Sequence, residues 1–408
     1  MSSAKLRRRE CRAGNGTTTA AASPLPPPPP PIPLDPLLEI LARTDATTVV
    51  RCAATSKPVR RAIAGPDFRH AITARRATDG GGGFDPSLLL GFSCVHRGSC
   101  TDDPARVAQQ ALRGNRLRFD AGLLEAFEPV AARGGLVVLR QREAASAPKL
   151  RVCNSLTGDT TCLPPAAVQD EYPPALVAVG DAGRSFELLI ADRCLRTQTF
   201  SSKEGKWRAV VDTRLLPRHC YDVPSGNGAH PVVLGAGTII HWLCHRCLDP
   251  GVKVLDTGTG QATQIELPPD YLTRVRYSQR LDTGFLLAAS PDGRLGLLVP
   301  EAGAIAMWTL AEDDGSARWT RQVVIRRQAI ARAAMEGPSY SVRFLGFGER
   351  SGAVMLQMEG VGLVQLDLGS KEAVVLGHEF KQIGQTDLFQ LCLHETDLCS
   401  LLQSMKPF

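Results

Sequence analysis

The sequence predicts a chain of two parts, a short all-α segment near the N-terminus followed by a long all-β domain, and three observations carry that reading. Leu34, Leu37, Leu38 and Leu41 recur at the i, i+3, i+4, i+7 spacing of one helical face. Beyond residue 84, short apolar clusters are bounded by Gly, Pro, Asp and Asn, as strands are. Finally, Val152-Cys153-Asn154-x-x-Thr157-Gly158, leading to Leu163-Pro164-Pro165, returns as Val254-Leu255-Asp256-x-x-Thr259-Gly260, leading to Leu267-Pro268-Pro269.

Composition sets the class. The chain has 408 residues, 43% of them hydrophobic and 22% charged, which suits a globular protein of more than one domain. No stretch reaches the length of a membrane-spanning helix, and the N-terminus lacks the apolar centre of a secretory signal. Twelve cysteines scattered without such a signal read as thiols, placing the chain in the cytoplasm and/or nucleus. Residues 1–80 hold thirteen Lys/Arg against six Asp/Glu, so the net charge of +6 resides there and the remainder is nearly neutral. The large domain is thus not a bulk polyanion binder, and neither nucleic acid nor membrane is expected as a partner.

Residues 1–31 read as a disordered basic and proline-rich tail. Lys5, Arg7, Arg8, Arg9 and Arg12 precede small residues and the run Pro26–Pro31, which cannot bury a core and favours extended polyproline II. The basic cluster also fits nuclear import, anion binding or an organelle transit peptide, and the prolines also fit an SH3, WW or profilin-like partner.

Residues 32–76 read as three short helices. Asp35 is expected to cap the first, with Pro36 in its first turn. A second begins near Asp45 to Thr48 with Val49, Val50, Ala53 and Ala54 inward, and a third begins at Pro58 with Val59, Ala62 and Ile63 on one side. Phe68 and Ile72 fit a final turn. Helices this short are marginal alone, so they must pack together and against a partner.

In register and without gaps, Ile32-Pro33-x-Asp35-x-Leu37-Leu38-Glu39-Ile40-Leu41-x-Arg43, Val49-Val50-Arg51-Cys52-x-Ala54-x-x-Lys57-x-x-Arg60 and Ile63 with Asp67-Phe68 resemble the F-box. The resemblance implies a three-helix motif that docks on the Skp-type linker subunit of an SCF ubiquitin ligase and, through it, on cullin. The docking residues it implies are Ile32, Pro33, Leu37, Leu38, Ile40, Leu41, Val49, Val50, Cys52, Lys57, Val59 and Ile63, divided between internal core and docking face. The chain departs from the pattern at Pro36, Thr44, Thr55, Ser56 and Val59, the last standing where the family carries a Trp. That large anchor is worth on the order of 1.5 to 3 kcal/mol of burial. A generic helical cap on the next domain is the competing reading.

Residues 77–84, with Gly80 to Gly83, read as a linker, because a phosphate loop would need a following Gly-Lys-Ser/Thr. Over residues 85–408, Leu88–Leu90, Leu136–Leu139, Leu188–Ile190, Val232–Leu234, Leu286–Leu287, Val323–Ile325 and Val374–Leu376 read as strands. Gly158 and Gly260 lie 102 residues apart, a weaker copy at Leu366-Asp367-x-x-Ser370-Lys371 lies 111 further on, and Trp207 and Trp319 are 112 apart. These offsets are about twice a propeller blade of ~40 to 50 residues, which predicts a β-propeller of about six blades. A sandwich or two β domains is the alternative. The stretch Pro104–Ala132 is expected to be a helical insertion in the first blade. The organisation is similar to the β-propeller-like associated regions of plant F-box proteins of the grass type, which implies a substrate-recognition domain.

Chemistry is sparse. His241-x-x-Cys244-His245-x-Cys247 has zinc-like spacing, with Cys94, His96 and Cys100, or Cys392, His394 and Cys399, as distant candidates, but no second half-site follows and no metal or cofactor is expected. The eight histidines are dispersed, no Gly-x-Ser-x-Gly elbow occurs, and Asp102-Asp103 and Asp313-Asp314 look like loop charges, so no catalytic residues are expected. The expectation is a non-enzymatic adaptor that holds a protein target. The alternative is a stand-alone propeller scaffold with a decayed F-box.

Overall fold

The computed structural model describes residues 32–65, 67–68, 83–98, 105–112, 117–142, 149–180, 183–213, 230–244, 250–269, 284–313, 316–331, 341–377 and 388–404. The tail 1–31, Gly80 to Gly82, Ile72, Cys100, His245 and Cys247 lie outside them.

Three helices, α1 (Leu34–Leu41), α2 (Ala46–Ala53) and α3 (Lys57–Ala64), open the described chain. Asp45 caps α2 by accepting the Thr48 N–H at 2.9 Å, and Ser56 caps α3 by accepting the Val59 N–H at 3.3 Å. The first helix differs from expectation. Pro33 is its N-cap and makes no side-chain cap, so Asp35 and Pro36 both lie inside the first turn, where an acid suits the helix dipole and a missing N–H costs nothing.

The rest is a six-bladed β-propeller. Blade 1 joins β1 (Leu89–Arg97) and β2 (Arg106–Ala111) to the last strand, β23 (Leu388–Glu395). Blade 2 is β3 (Phe127–Arg133), β4 (Leu136–Gln141), β5 (Leu150–Asn154) and β6 (Thr160–Cys162). Blade 3 is β7 (Ala175–Gly180), β8 (Ser185–Ala191), β9 (Thr197–Ser201) and β10 (Lys206–Trp207). Blade 4 is β11 (Val232–Leu234), β12 (Ile239–Cys244), β13 (Gly251–Asp256) and β14 (Gln261–Glu266). Blade 5 is β15 (Leu286–Ala289), β16 (Leu295–Pro300), β17 (Ala304–Asp313) and β18 (Ser316–Arg326). Blade 6 is β19 (Val342–Phe347), β20 (Ala353–Met358), β21 (Gly362–Asp367) and β22 (Ala373–Gly377). The innermost strands touch in the closed cycle β23, β3, β7, β11, β15, β19 and back to β23. Blade 1 thus closes the ring by pairing β1 with β23 from Leu89 opposite Glu395 to Arg97 opposite Leu388. Closure leaves no inner edge free, and the apolar residues of facing blades form the core between them.

The repeated motif is the turn between the third and fourth strands. Asn154, Asp256 and Asp367 each accept, through one side-chain oxygen, the N–H groups two and three residues on. Each turn closes with an N–H donated back to the first residue's carbonyl by Gly158, Gly260 or Lys371, all at positive φ. Ser201 to Gly205 makes the same closure in blade 3 without the Asx side chain. The backbone closure thus occurs in blades 2, 3, 4 and 6, and the Asx side-chain signature in every second blade, 2, 4 and 6. The tryptophans follow the same doubling. Trp207 in blade 3 donates to the Pro164 carbonyl at the outer edge of blade 2, and Trp319 in blade 5 donates to the Glu266 carbonyl at the outer edge of blade 4, both at 2.8 Å.

Among the described residues of 104–132 the expected α-helical insertion does not occur. Arg106–Ala111 is a strand laddered to β1 from His96 opposite Arg106 to Gly91 opposite Ala111, Ala121–Glu125 is a 3-10 turn, and β3 follows. An unpaired edge on β1 outweighs the weak helical preference of an Ala- and Arg-bearing segment. Phe84, placed in the linker by sequence, stacks edge-on against Phe347 at 6.0 Å and lies directly over Gly352, whose φ of +68° and lack of Cβ permit the approach. No helix among the described residues is long and apolar enough to cross a membrane.

Candidate functional site

The helical module has a core of Leu41, Val49, Ala53, Ile63 and Phe68, closed by Leu402 and Leu398 from the C-terminal helix Leu398–Ser404. Its lid therefore comes from the opposite end of the described chain. That helix is capped by Asp397, which accepts the Ser400 N–H at 2.8 Å, and Arg60 donates to the Leu402 carbonyl at 3.3 Å. The N-terminus of α2 is tied to the ring, since the Ala46 N–H donates to Asp85 at 3.0 Å and the Asp85 N–H donates to the Arg350 carbonyl at 2.9 Å. Next to this junction Glu395 accepts the Ser351 N–H at 2.8 Å and its hydroxyl at 2.5 Å, and burial raises its carboxyl above the ordinary value.

The residues that the F-box resemblance marked for docking divide cleanly. Leu41, Val49 and Ile63 are buried inside the module and present nothing to a partner. Leu37, Leu38, Val50, Cys52 and Val59 are half-buried against that core. Ile32, Pro33, Ile40 and Lys57 are exposed. Ile32 is 63% and Ile40 54% exposed, unusual for isoleucine, and Leu34 adds an exposed apolar position that the resemblance had not marked. Pro33, Leu37 and Ile40, at i, i+4, i+7, form one apolar edge of α1 beside its buried face. Around it, Arg43 pairs with Glu39 at 3.0 Å in the open, a contact worth little in itself.

The ring offers a second concave feature. A central cavity of about 610 Å³, its open mouth included, takes one wall from each blade, among them Leu393, Arg133, Leu176, Val233, Leu287 and Phe347. Arg133 spans it, pairing with Glu349 at 2.9 Å and donating to the Leu176 carbonyl at 2.8 Å. The charge there is internally matched.

Between blades 1 and 2 lies a sealed polar clasp. His394 accepts or donates through both ring nitrogens, to Ser93 Oγ at 2.8 Å and Ser155 Oγ at 2.7 Å, and all three side chains are fully buried. Burial drives the imidazole pKa down to about 3, so it is neutral. Ser-His contacts of this kind can activate a nucleophile, but here both ring nitrogens are taken by serine hydroxyls and all three side chains are fully buried. It joins the closing strand to both neighbours.

Of the residues with zinc-like spacing, only His241 and Cys244 lie among the described ones. His241 and Cys244 both sit on β12 but three residues apart, hence on opposite faces. His241 contacts the Val232 carbonyl at 3.3 Å, its pKa pushed down to about 4 by burial, while Cys244 packs in the cluster of Trp242. Among the described residues no His, Cys, Asp or Glu group is arranged to hold a metal, and the described cysteines are free thiols. Sequence reasoning missed Leu398 and Leu402. Their i, i+4 spacing behind Asp397 signals a helix, but nothing in one dimension says that it packs on residues 350 positions earlier.

Comparison with known proteins places the ring. The profile of the family described as Domain of unknown function (DUF7595) matches residues 91–408, and the chain belongs to that family. No curated protein matches it. Among solved structures it is similar to a chain of a nidogen/laminin complex, with 11% identity over 75% of this chain and 100% of that one, at a TM-score of 0.41. It is also similar to a duf4221 family member from Bacteroides vulgatus, with 10% identity over 66% and 91% and a TM-score of 0.38. TolB from Acinetobacter baumannii follows at 11% identity over 78% and 69%, with a TM-score of 0.36.

Proposed function

Starting from a six-bladed ring of the DUF7595 family with a helical module on one rim, we propose that this protein is a non-enzymatic substrate-recognition subunit of an SCF-type ubiquitin ligase. The helical module docks on a Skp-type linker subunit and through it on cullin, while the ring holds a protein target. The observation that carries this reading is the set of exposed apolar residues at α1, Ile32 and Pro33 just before it and Leu34 and Ile40 on it, in a segment whose register resembles the F-box over roughly 40 residues. Exposed isoleucines beside a small module with a buried core of its own are a standing cost unless a partner covers them. The chain itself would make and break no bonds. Its contribution is effective concentration, because tethering turns the encounter of target and transferase into an intramolecular event.

Co-purification of the full chain with a Skp-type linker tests it. Ile40→Asp is the informative variant, since the side chain is exposed and its loss leaves the module core intact; Leu38→Asp would damage the core as well. Binding is expected in the wild type and absent in Ile40→Asp. Linker binding that survives Ile40→Asp and deletion of residues 32–76 removes the docking site. A stand-alone propeller scaffold is the second reading, favoured by Val59, which is half-buried against the core in place of a projecting Trp; it predicts no linker in the wild-type preparation.

A further inference from the structure

The helical module is fastened to the ring at two places besides the chain segment that joins them. The first is Asp85. Its Oδ2 accepts the Ala46 N–H at 3.0 Å and so holds the first residue of α2, while its Oδ1 accepts the Ser87 N–H at 3.0 Å and the Ser87 hydroxyl at 2.5 Å, just before β1 begins. The Asp85 N–H in turn donates to the Arg350 carbonyl at 2.9 Å. One residue therefore ties the start of α2 to blades 6 and 1.

The second fastening is the helix Leu398–Ser404, which follows β23, the strand that closes the ring. Leu402, 5% exposed, shares one cluster with Leu41 of α1, Val49 and Ala53 of α2 and Ile63 of α3, and Leu398 packs against it. The Arg60 guanidinium of α3 donates to the Leu402 carbonyl at 3.3 Å, pairing one of the carbonyls that the last turn of a helix leaves without an internal partner. Within the module, α1 rests on α3 and α3 on α2. The exposed side chains of Leu34 and Ile40 thus project from a helix whose support passes through α3 to the ring. Three helices of eight residues each are too few to hold their form alone, so each support is a condition for the surface they display.

We infer that Leu402 and Asp85 are positioning residues for the docking edge on α1, acting through α2 and α3 rather than on the partner. The inference rests on the linker-docking reading above. Two attachments at separate places set an orientation as well as a position, so the ring meets the linker subunit at one angle, where a glycine tether would let it swing. Docking and closure of the module then form one coupled equilibrium. Whatever opens the module weakens docking, and docking in turn holds the helix Leu398–Ser404 closed.

Calorimetric titration of the full chain with a Skp-type linker subunit, joined to amide exchange of the same complex, tests it. Leu402→Ala is expected to weaken docking at least about tenfold, because an opened module must re-form before it docks. Leu402→Met keeps the volume and is expected to stay within about threefold of the wild type. In the wild type, adding the linker subunit is expected to slow exchange in Leu398–Ser404 as well as in α1 to α3, a response that a merely structural helix would not give. Four residues inserted between Gly80 and Gly83 are the control and are expected to leave the affinity unchanged. Should Leu402→Ala fail to fold, the exchange response of the wild type decides. Wild-type docking with equal affinity in Leu402→Ala, with exchange in Leu398–Ser404 unmoved by the linker subunit, or with a loss on insertion as large as that in Leu402→Ala, overturns the positioning role and leaves the docking reading standing. Absence of docking by the wild type removes the reading and the inference together.

Discussion

The ring and the helical module are stabilised in opposite ways. In the ring, every blade meets a neighbour on each side and the inner strands form a closed cycle, so burial is distributed over six seams. In the module, three eight-residue helices share a handful of buried side chains and borrow Leu398 and Leu402 to close their core. A small unit with a borrowed core opens locally long before a closed ring does. Yet both depend on one short segment, because the strand that closes the ring, β23, continues through Thr396 and Asp397 directly into the helix that closes the module.

Deleting residues 388–408 breaks the comparison outright, since both parts lose their closure. The expected result is loss of the cooperative unfolding transition by circular dichroism, the largest effect of any change considered. Leu402→Ala separates the parts. It is expected to cost about 3 kcal/mol within the module, read as faster amide exchange in α1 to α3, with blade amides unchanged.

Acid acts mainly on the ring. His394 and His241 are neutral in the fold, with pKa values of about 3 and about 4, whereas the unfolded chain takes up protons below about 6.5. Stability attributable to them is therefore complete above that value and lost as the pH falls toward the folded values, by about 2 kcal/mol each at pH 5. Glu395 and Asp170, raised by burial, act in the opposite sense and offset part of it. Urea midpoints at pH 7 and pH 5 measure the difference, and His241→Gln is expected to flatten it.

The smallest effect sharpens the two-blade repeat. Trp207→Phe and Trp319→Phe each remove one N–H donated to the preceding blade and are expected to cost about 1 kcal/mol apiece. Equal losses support equivalent seams; a loss at one site alone separates them.

Much of this was legible in one dimension because it is local. Asn154, Asp256 and Asp367 reach N–H groups only two and three residues away, so the turn is written in the sequence at each occurrence. Capping by Asp45 and Ser56 is equally local, and the two-blade spacing of the tryptophans could be counted directly in the sequence. The strand Arg106–Ala111 was misread because its β1 partner, not its own composition, decides its conformation. At the candidate docking site the sequence marked a dozen residues as one group, and only packing separated exposed Ile40 from buried Ile63.

What the sequence by itself determined was therefore the class of each part and the size of its repeating unit, because helix faces, strand runs and Asx turns act over a few residues. Tertiary structure alone decided the packing of helix Leu398–Ser404 on the N-terminal helices and the sealing of His394 between Ser93 and Ser155. Those depend on ring closure, which brings together residues hundreds of positions apart and leaves no local pattern behind.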